Sequence, residues 1–359
     1  MKDAKYLLAY LVPGLVFLSI WLRGVWSFLA IIVLFGVVPL LEHFFRGSEE
    51  NLSQSEENAK KHSLWFDILL YLNVPVQYGI LIYFLTIVRT ESLTAWEMTG
   101  MILSMGISCG TLGINVAHEL GHRASKGEQF LAQMLLLTSL YMHFFIEHNR
   151  GHHKYVATLR DPATARKGEP LYAFWIRSIR DGYLSAWKIE YERLKKADLP
   201  VFSTANQMLM FQLFQLQFLV AIALIWGLPS MLAFMAAALV GVIELETVNY
   251  LEHYGLLRKE TRPGYFEKVQ PWHSWNTNRT LGRILLYELT RHSDHHYRAS
   301  RKYQILRHFG DSPQLPQGYP GMMILATVPP LWFRVMDKKL EELENQISIS
   351  PLNTKVAGP

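Results

Sequence analysis

The sequence has few charged residues. Lys, Arg, Asp and Glu make up 18% of its 359 residues, whereas an ordinary soluble domain carries about 25%. No charged residue occurs between Asp198 and Glu244, and shorter uncharged stretches cover residues 6–22, 24–41, 68–88 and 98–117. A membrane-spanning helix needs roughly 17–25 apolar residues. The distribution of charge therefore excludes a disordered chain or a soluble globular protein and predicts a multi-pass membrane protein.

The sequence has a single cysteine, Cys109. The chain cannot form an internal disulfide, and it cannot supply the four thiolates of an iron–sulfur cluster or a rubredoxin-type iron site. The net charge is +5, but the basic residues flank apolar runs and form no stripe with stacking aromatic residues. This pattern excludes a nucleic-acid-binding protein.

The apolar runs predict an all-α, polytopic membrane protein with one domain over residues 1–359 and six transmembrane helices. The uncharged run 199–243 is roughly twice as long as one crossing needs, and Gly227-Leu228-Pro229-Ser230 breaks it in the middle. The segment 130–146 is apolar over only 17 residues, and we interpret it as re-entrant or interfacial. The predicted spans are 6–22, 25–45, 64–88, 95–122, 208–227 and 230–253.

The basic residues predict which side of the membrane each loop faces. Residues 154–196 contain ten Lys and Arg residues, whereas the loops on the other side contain only Arg23 and Arg89. Cytoplasmic loops carry the excess of Lys and Arg in membrane proteins. We therefore predict that both termini and residues 147–205 and 254–359 are cytoplasmic, with an interfacial helix over residues 172–196.

Nine of the 14 histidines occur in four clusters near the predicted cytoplasmic ends of the spans. Residues four apart on a helix share a face, so histidines at this spacing can bind one metal ion. The clusters would form a histidine-rich helical cap on the cytoplasmic side. They contain His118 and His122; His148, His152 and His153; His253; and His292, His295 and His296.

Nine imidazoles exceed the three or four ligands of a zinc site and predict a dinuclear metal site. Imidazole binds Zn, Cu, Fe and Ni, so the ligand type leaves the metal open. The sequence His118-Glu119-Leu120-Gly121-His122 also matches the zinc-protease pattern. An intramembrane zinc metalloprotease is therefore a remote alternative, although it would leave the other histidine clusters unexplained.

Several polar residues are candidates to orient the histidines, because metal-bound imidazoles usually donate their second N–H to a carboxylate or carbonyl. Ion pairs with neighbouring arginines are the alternative for Glu119, Glu252 and Asp294. Glu246 and Asn249 share a helix face with His253 and could line the floor of the site. The candidates are Glu119, Glu147, Asp161, Glu246, Asn249, Glu252 and Asp294.

The clusters together resemble the integral-membrane di-iron family of fatty-acid desaturases and hydroxylases, and within it the alkane 1-monooxygenase branch. The resemblance extends from the second predicted span to about residue 335. The matching stretches are His118-Glu-Leu-Gly-His122, Glu147-His-Asn-Arg-Gly-His-His153 with Asp161-Pro-Ala following, Asn249-Tyr-Leu-Glu-His-Tyr-Gly-Leu-Leu-Arg258 and His292-Ser-Asp-His-His296.

This resemblance implies that the nine histidines bind two non-haem iron ions. It implies that the enzyme uses O₂ to hydroxylate the terminal methyl of medium- to long-chain n-alkanes, giving 1-alcohols, in the bacterial inner membrane. It also implies a separate rubredoxin as electron donor, with a rubredoxin reductase. Rubredoxins are generally acidic, so Arg177, Arg180, Lys195 and Lys196 are candidates for the docking surface.

An alkane has no polar group, so an apolar channel among the spans must hold it by shape. The resemblance implies that a bulky side chain on the second span would block this channel. Leu34 occupies the corresponding place and leaves room for medium to long chains. A fatty-acyl or aromatic-methyl hydroxylase or desaturase of the same superfamily stays open as an alternative.

Overall fold

The computed structural model describes residues 2–45 and 47–349. Helices make up most of this part of the chain, and its one sheet is the antiparallel pair Glu260–Arg262 and Tyr265–Phe266. Six helices are long and apolar enough to cross a membrane, and we number them spans 1 to 6. They are Asp3–Leu22, Gly24–Phe44, Leu64–Thr90, Ala95–Gly121, Gln207–Trp226 and Leu228–His253. The predicted all-α class with six membrane helices is confirmed.

The ends of several spans follow from the local sequence. Thr94 begins span 4 with a capping box, in which its hydroxyl accepts from the backbone N–H of Glu97 and the Glu97 carboxylate accepts in return. Spans 5 and 6 are separated at Gly227, whose φ of +87° suits glycine. Pro229 follows in the first turn of span 6, where its missing N–H costs no helical hydrogen bond.

The remaining helices lie between and after the spans. The longest, Leu171–Lys196, presents Leu171, Phe174 and Ala186 to the protein interior. The last, Pro329–Ile349, packs through Trp332 and Met336 against Tyr250 and Tyr254 near the end of span 6. The other α-helices are Gln54–Lys61, Lys126–Leu137, Phe144–Glu147, His153–Tyr155, Thr280–Leu285, His292–Tyr297 and Tyr319–Ala326. Shorter helical turns of other types are His148–His152, Pro271–His273 and Tyr303–Ile305.

The segment after span 4 does not form one long helix. Helix Lys126–Leu137 ends in a turn, where Leu140 has a φ of +51°, and a short helix Phe144–Glu147 follows. Cys109 of span 4 donates its S–H to the backbone carbonyl of Thr138, and Gln215 of span 5 accepts from the backbone N–H of Met142. Protein side chains therefore satisfy this irregular backbone, as they must when it lies at membrane depth.

Span 4 is the central helix of the bundle. The share of its apolar window that is buried inside the protein is 89%, compared with 22% for span 5. Glycines allow span 4 to approach span 6 closely. A Cβ atom on Gly241 of span 6 would lie 2.6 Å from the Cβ of Cys109, and one on Gly106 would lie 2.4 Å from Val240.

We expect Gly241→Ala to destabilise the protein. The new methyl group would force spans 4 and 6 apart, and overpacking of this kind typically costs about 1–3 kcal/mol. Gly79→Ala on span 3 is the matched control, because nothing lies within 4 Å of a Cβ at that position. Thermal unfolding in detergent should show a lower Tm for Gly241→Ala alone; equal Tm values for the two variants would contradict the close crossing.

Candidate metal centre and apolar cavity

The nine histidines identified in the sequence lie together in two groups. Within each group, one ring nitrogen from every histidine lies within 4.8 Å of the corresponding atoms of the others. The five-histidine group consists of His118, His122, His148, His153 and His295, and the four-histidine group consists of His152, His253, His292 and His296. Neither group includes His43, His62, His143, His273 or His308.

Two segments contribute to both groups. In the π-helical turn His148–His152 and the residue that follows, His148 and His153 point to the five-histidine group, whereas His152 points to the other. In helix His292–Tyr297, His295 belongs to the five-histidine group and His296 to the four-histidine group. The two groups are therefore adjacent and share their supporting backbone, and π-helical turns are frequent at such functional sites.

The other histidines lie at the ends of spans. His118 and His122 are one turn apart at the end of span 4, and His253 is the last residue of span 6. Span 4 therefore contributes to the five-histidine group and span 6 to the adjacent four-histidine group. His118 and His122 are four residues apart on one helix face, and both belong to the five-histidine group.

The Nε2 atoms of neighbouring histidines lie unusually close together. These separations are 2.9–3.1 Å in the five-histidine group and 2.8–3.2 Å in the four-histidine group. Two nitrogens bound to one metal at about 2.1 Å are about 3.0 Å apart at a 90° angle and about 3.4 Å apart at a tetrahedral angle. The ring nitrogens of each group are therefore close enough together to bind one metal ion.

Burial keeps these imidazoles ready to bind a cation. Burial, together with the neighbouring imidazoles, holds the pKa of His148 and of His296 well below the usual value. A neutral imidazole has a free lone pair on one nitrogen, which is the form that binds metals. N–H···N hydrogen bonds cannot pair all the ring nitrogens that converge in one group, and a bound metal ion would satisfy the remaining lone pairs.

Asp161 is placed to orient one of the histidines. The Nδ1–H of His152 donates to its Oδ2 over 2.9 Å, and the hydroxyl of Thr164 donates to the same oxygen over 2.6 Å. Burial alone would lower the pKa of His152, but the Asp161 carboxylate outweighs it and raises that pKa. The hydrogen bond leaves Nε2 of His152 facing the four-histidine group, as expected for a carboxylate–histidine–metal arrangement.

We expect Asp161→Asn to weaken metal binding at the four-histidine group by about 10–100-fold, because a neutral amide polarises the imidazole less than a carboxylate does. Titrating the metal-loaded protein with a chelator should release one metal ion per chain earlier than in the wild type. Asp181→Asn is the control, since Asp181 pairs with Arg180 on an exposed helix face. Identical release curves for the wild type and Asp161→Asn would contradict this role.

The other predicted orienting residues make different contacts. Glu119 accepts from Arg123 and from the backbone N–H of Tyr303, and Asp294 accepts from Arg301. These are the ion pairs named above as the alternative. The partners of these two carboxylates are arginines and a backbone N–H, not imidazoles. Each carboxylate therefore holds in place the segment that carries the neighbouring histidines.

Glu252 lies close to the four-histidine group. Its Oε2 is 3.2 Å from Nε2 of His292, and its Oε1 accepts from the hydroxyl of Tyr319 over 2.6 Å. Sequence reasoning did not single out Tyr319, which lies 67 residues away along the chain. The carboxylate thus faces the same nitrogen that a metal ion would bind.

Glu246, Asn249 and Glu147 lie beside a second, polar cavity of about 320 Å³ that reaches His148 and His152. The hydroxyls of Tyr141 and Ser178 donate to Glu246 over 2.9 Å and 2.5 Å. Asn249 donates to the same carboxylate. Burial raises the pKa of Glu147 to about 8.

A larger cavity begins at the histidines and extends between the spans. The space between its wall atoms is about 860 Å³, part of which opens to the outside of the protein. His118, His148 and His292 line one part of it. Most of the remaining wall is apolar; it includes Val12, Leu34, Phe35, Leu245, Val248, Leu285 and Met323. The predicted channel residue Leu34 therefore lies in the wall of a cavity that adjoins both histidine groups.

Comparison with known proteins places the chain among membrane oxygenases. The fatty acid desaturase family matches residues 94–325. Alkane 1-monooxygenase 1 of Pseudomonas aeruginosa is 40% identical over 317 residues, which cover 88% of this chain and 83% of that protein. Alkane 1-monooxygenase 1 of Alcanivorax borkumensis is 37% identical over 361 residues, 98% and 89% of the two chains.

The name of a more distant relative indicates an aromatic substrate. The hydroxylase component of the xylene/toluene monooxygenase of Pseudomonas putida is 28% identical over 295 residues, which cover 78% of this chain and 76% of that protein. The residues that the family matches, 94–325, contain all four histidine clusters.

Proposed function

The chain belongs to the fatty acid desaturase family, and on that premise we propose that it is a membrane-bound non-haem di-iron monooxygenase that hydroxylates the terminal methyl of n-alkanes to 1-alcohols. The observation that carries this proposal is the contact between two histidine groups and one apolar cavity of about 860 Å³. A cavity whose wall is mostly apolar suits a hydrocarbon, and the adjoining imidazoles suit redox-active metals.

The nine histidines are proposed as the ligands, with one iron in each group. Their 2.8–3.2 Å nitrogen separations are short enough for each group to bind one metal ion, and five or four imidazoles leave coordination positions open. Bound iron would supply activation of O₂, the co-substrate. Asp161 orients His152, and Glu252 lies beside the four-histidine group as a further carboxylate.

The substrate end of the site is built to select by shape. His118, His148 and His292 line the cavity together with apolar side chains such as Leu34 and Leu285. The wall makes apolar contacts along a hydrocarbon chain, so the chain would enter tip first and present its methyl end to the histidines. The side chain of Leu34 in the cavity wall leaves more room than a bulkier residue would, which supports medium- to long-chain alkanes as substrates.

The reaction needs two electrons, and the relatives' names imply an electron-transfer partner. Cys109 is the only cysteine, so an iron–thiolate donor must be a separate protein, which we propose to be a rubredoxin reduced by its own reductase. Arg180, Lys195 and Lys196 are exposed on helix Leu171–Lys196. Arg177 is less suited to docking because it is held by Glu169 and by backbone carbonyls.

The proposed topology places the histidine groups on the cytoplasmic side of the bacterial inner membrane. Residues 147–205 and 254–359 would lie there, and the broken segment 126–147 would return to the side from which it entered. The union of His118 and His122 with His148 and His153 in one group supports this return.

The alternatives concern the substrate. The xylene/toluene relative favours aromatic methyl groups as a second candidate, while a fatty-acyl substrate would need a polar head-group pocket at the mouth of the cavity. Zinc protease activity stays remote, because a single zinc ion would use fewer than half of the grouped histidines.

The proposal is tested by metal analysis and product analysis of the purified protein. We expect two iron ions per chain, and 1-octanol and 1-hexadecanol from octane and hexadecane when rubredoxin, its reductase, NAD(P)H and O₂ are supplied. Omitting rubredoxin is the control for the donor. One zinc ion per chain with no alcohol formed would overturn the proposal, and oxidation of toluene or xylene alone would favour the aromatic alternative.

A further inference from the structure

Glu244 lies in the wall of the apolar cavity, away from the histidine groups. It is a residue of span 6, and its Oε2 is buried without a hydrogen-bond partner. A buried polar group without a partner is costly. Ionisable groups within membrane spans are rare and usually functional for the same reason. The carboxyl of Glu244 is therefore a candidate to contact something that enters the cavity.

The neighbouring span leaves space for this carboxyl. A Cβ atom on Gly110 of span 4 would lie 2.0 Å from Oε2 of Glu244, so only glycine allows the side chain to lie where it does. Gly110 belongs to the π-helical turn Cys109–Val116, a kind of turn that is often retained at functional sites. The backbone of span 4 at Gly110 thus leaves room for the carboxyl of Glu244 inside the bundle.

Other polar side chains in the cavity wall already have partners. The hydroxyl of Thr111 donates to the carbonyl of Ile107, and the amide of Asn115 donates to the carbonyl of Leu286. Glu244 differs from them because Oε2 has no partner and no other group of the described residues donates to its carboxyl. A ligand hydroxyl that donates to this carboxyl from the cavity would gain what the protein itself does not provide.

The distance from Glu244 to the histidines sets the length of such a ligand. Glu244 precedes His253 by nine residues in one continuous helix, which is roughly 13 Å along the axis. An extended chain advances roughly 1.2 Å per bond. A chain of about ten carbons with a hydroxyl at one end would therefore reach from Glu244 to the histidine groups.

We propose that Glu244 is a hydrogen-bonding subsite for the hydroxyl of a medium-chain primary alkanol, whose opposite methyl end then faces the histidines. This inference rests on the proposed function and extends it to a second substrate class, which the enzyme converts to α,ω-diols. One C–H bond of the methyl breaks and a C–O bond forms with one atom of O₂. The other oxygen atom leaves as water, with two electrons from the redox partner and two protons from solvent.

The experiment compares 1-decanol with n-undecane, which has the same number of heavy atoms and no hydroxyl, in the complete system with rubredoxin, reductase and O₂. The variants are Glu244→Met, which keeps the approximate volume and removes the acceptor, and Glu244→Gln, which keeps an acceptor. A second apolar variant, Glu244→Leu, guards against a folding failure of one protein. Iron content is measured for each.

We expect 1,10-decanediol from the wild type. The ratio of kcat/KM for 1-decanol to that for n-undecane should fall about tenfold in Glu244→Met and Glu244→Leu, mainly through KM, and stay within about threefold in Glu244→Gln. In the absence of reductant, the metal-loaded wild type should also gain thermal stability with 1-decanol, and Glu244→Met should gain less.

Three results would overturn the subsite: decanal instead of the diol, no oxidation of 1-decanol by a protein that hydroxylates n-undecane, or an unchanged ratio in both apolar variants. If the wild type hydroxylates neither compound, the proposed function itself fails. The n-undecane reaction therefore separates the two failures.

Discussion

His253→Ala should remove one metal ion per chain and abolish alkane hydroxylation. His253 is the one histidine that span 6 contributes to the four-histidine group, and its Nε2 lies 3.2 Å from that of His292. Three imidazoles would remain in that group, while the five-histidine group would keep all its ligands. Because losing an orienting partner alone costs about 10–100-fold, we expect the loss of a ligand to lower turnover by more than about 100-fold.

His143→Ala is the matched control for this experiment. His143 is a buried histidine near both groups, but it packs between Tyr141 and Tyr183 and belongs to neither group. Iron per chain, measured by mass spectrometry, should fall from two to one in His253→Ala and stay at two in His143→Ala. Two iron ions in both variants would contradict the assignment of His253 as a ligand.

Leu34→Trp should shift the preferred substrate towards shorter alkanes. Leu34 lies in the cavity wall on a π-helical turn of span 2, and the larger indole would occupy space that a long chain needs. A difference of one methylene in a hydrophobic pocket changes kcat/KM by roughly 10–200-fold. We therefore expect the ratio of hexadecane to octane oxidation to fall at least about tenfold.

Ile32→Trp controls for the added bulk. Ile32 belongs to the same turn, but its side chain is exposed on the outer surface of the bundle, where an indole meets lipid. Products from a mixture of octane and hexadecane, quantified by gas chromatography, give the ratio directly. An unchanged ratio in Leu34→Trp would show that the alkane does not pass this position.

The membrane architecture could be read from the sequence because charge is so costly in a bilayer. The uncharged run between Asp198 and Glu244 exceeds one crossing, and Gly227 and Pro229 have few roles in such a run other than to end a helix. The six-helix all-α fold and the membership of the desaturase family are both confirmed. The irregular course of residues 126–147 was harder to predict, because neighbouring spans satisfy its backbone.

The candidate site was partly predictable for a related reason. Histidines four apart, such as His118 and His122, share a helix face, so their convergence followed from local geometry. The division into five and four did not, because adjacent His152 and His153 point to different groups and only the tertiary packing decides this. The role of Glu244 could not be predicted from the neighbouring sequence, because the space for its carboxyl is left by Gly110 in another span.

The histidine groups also connect parts of the chain that are far apart in sequence. His118 and His295, whose Nε2 atoms are 2.9 Å apart, are separated by 177 positions. An ion held between them would cross-link span 4 to helix His292–Tyr297, and its binding energy would contribute to the stability of that connection. The supply of the metal would then govern the lifetime of the folded protein as well as its turnover, because segments that are no longer cross-linked are more open to proteases.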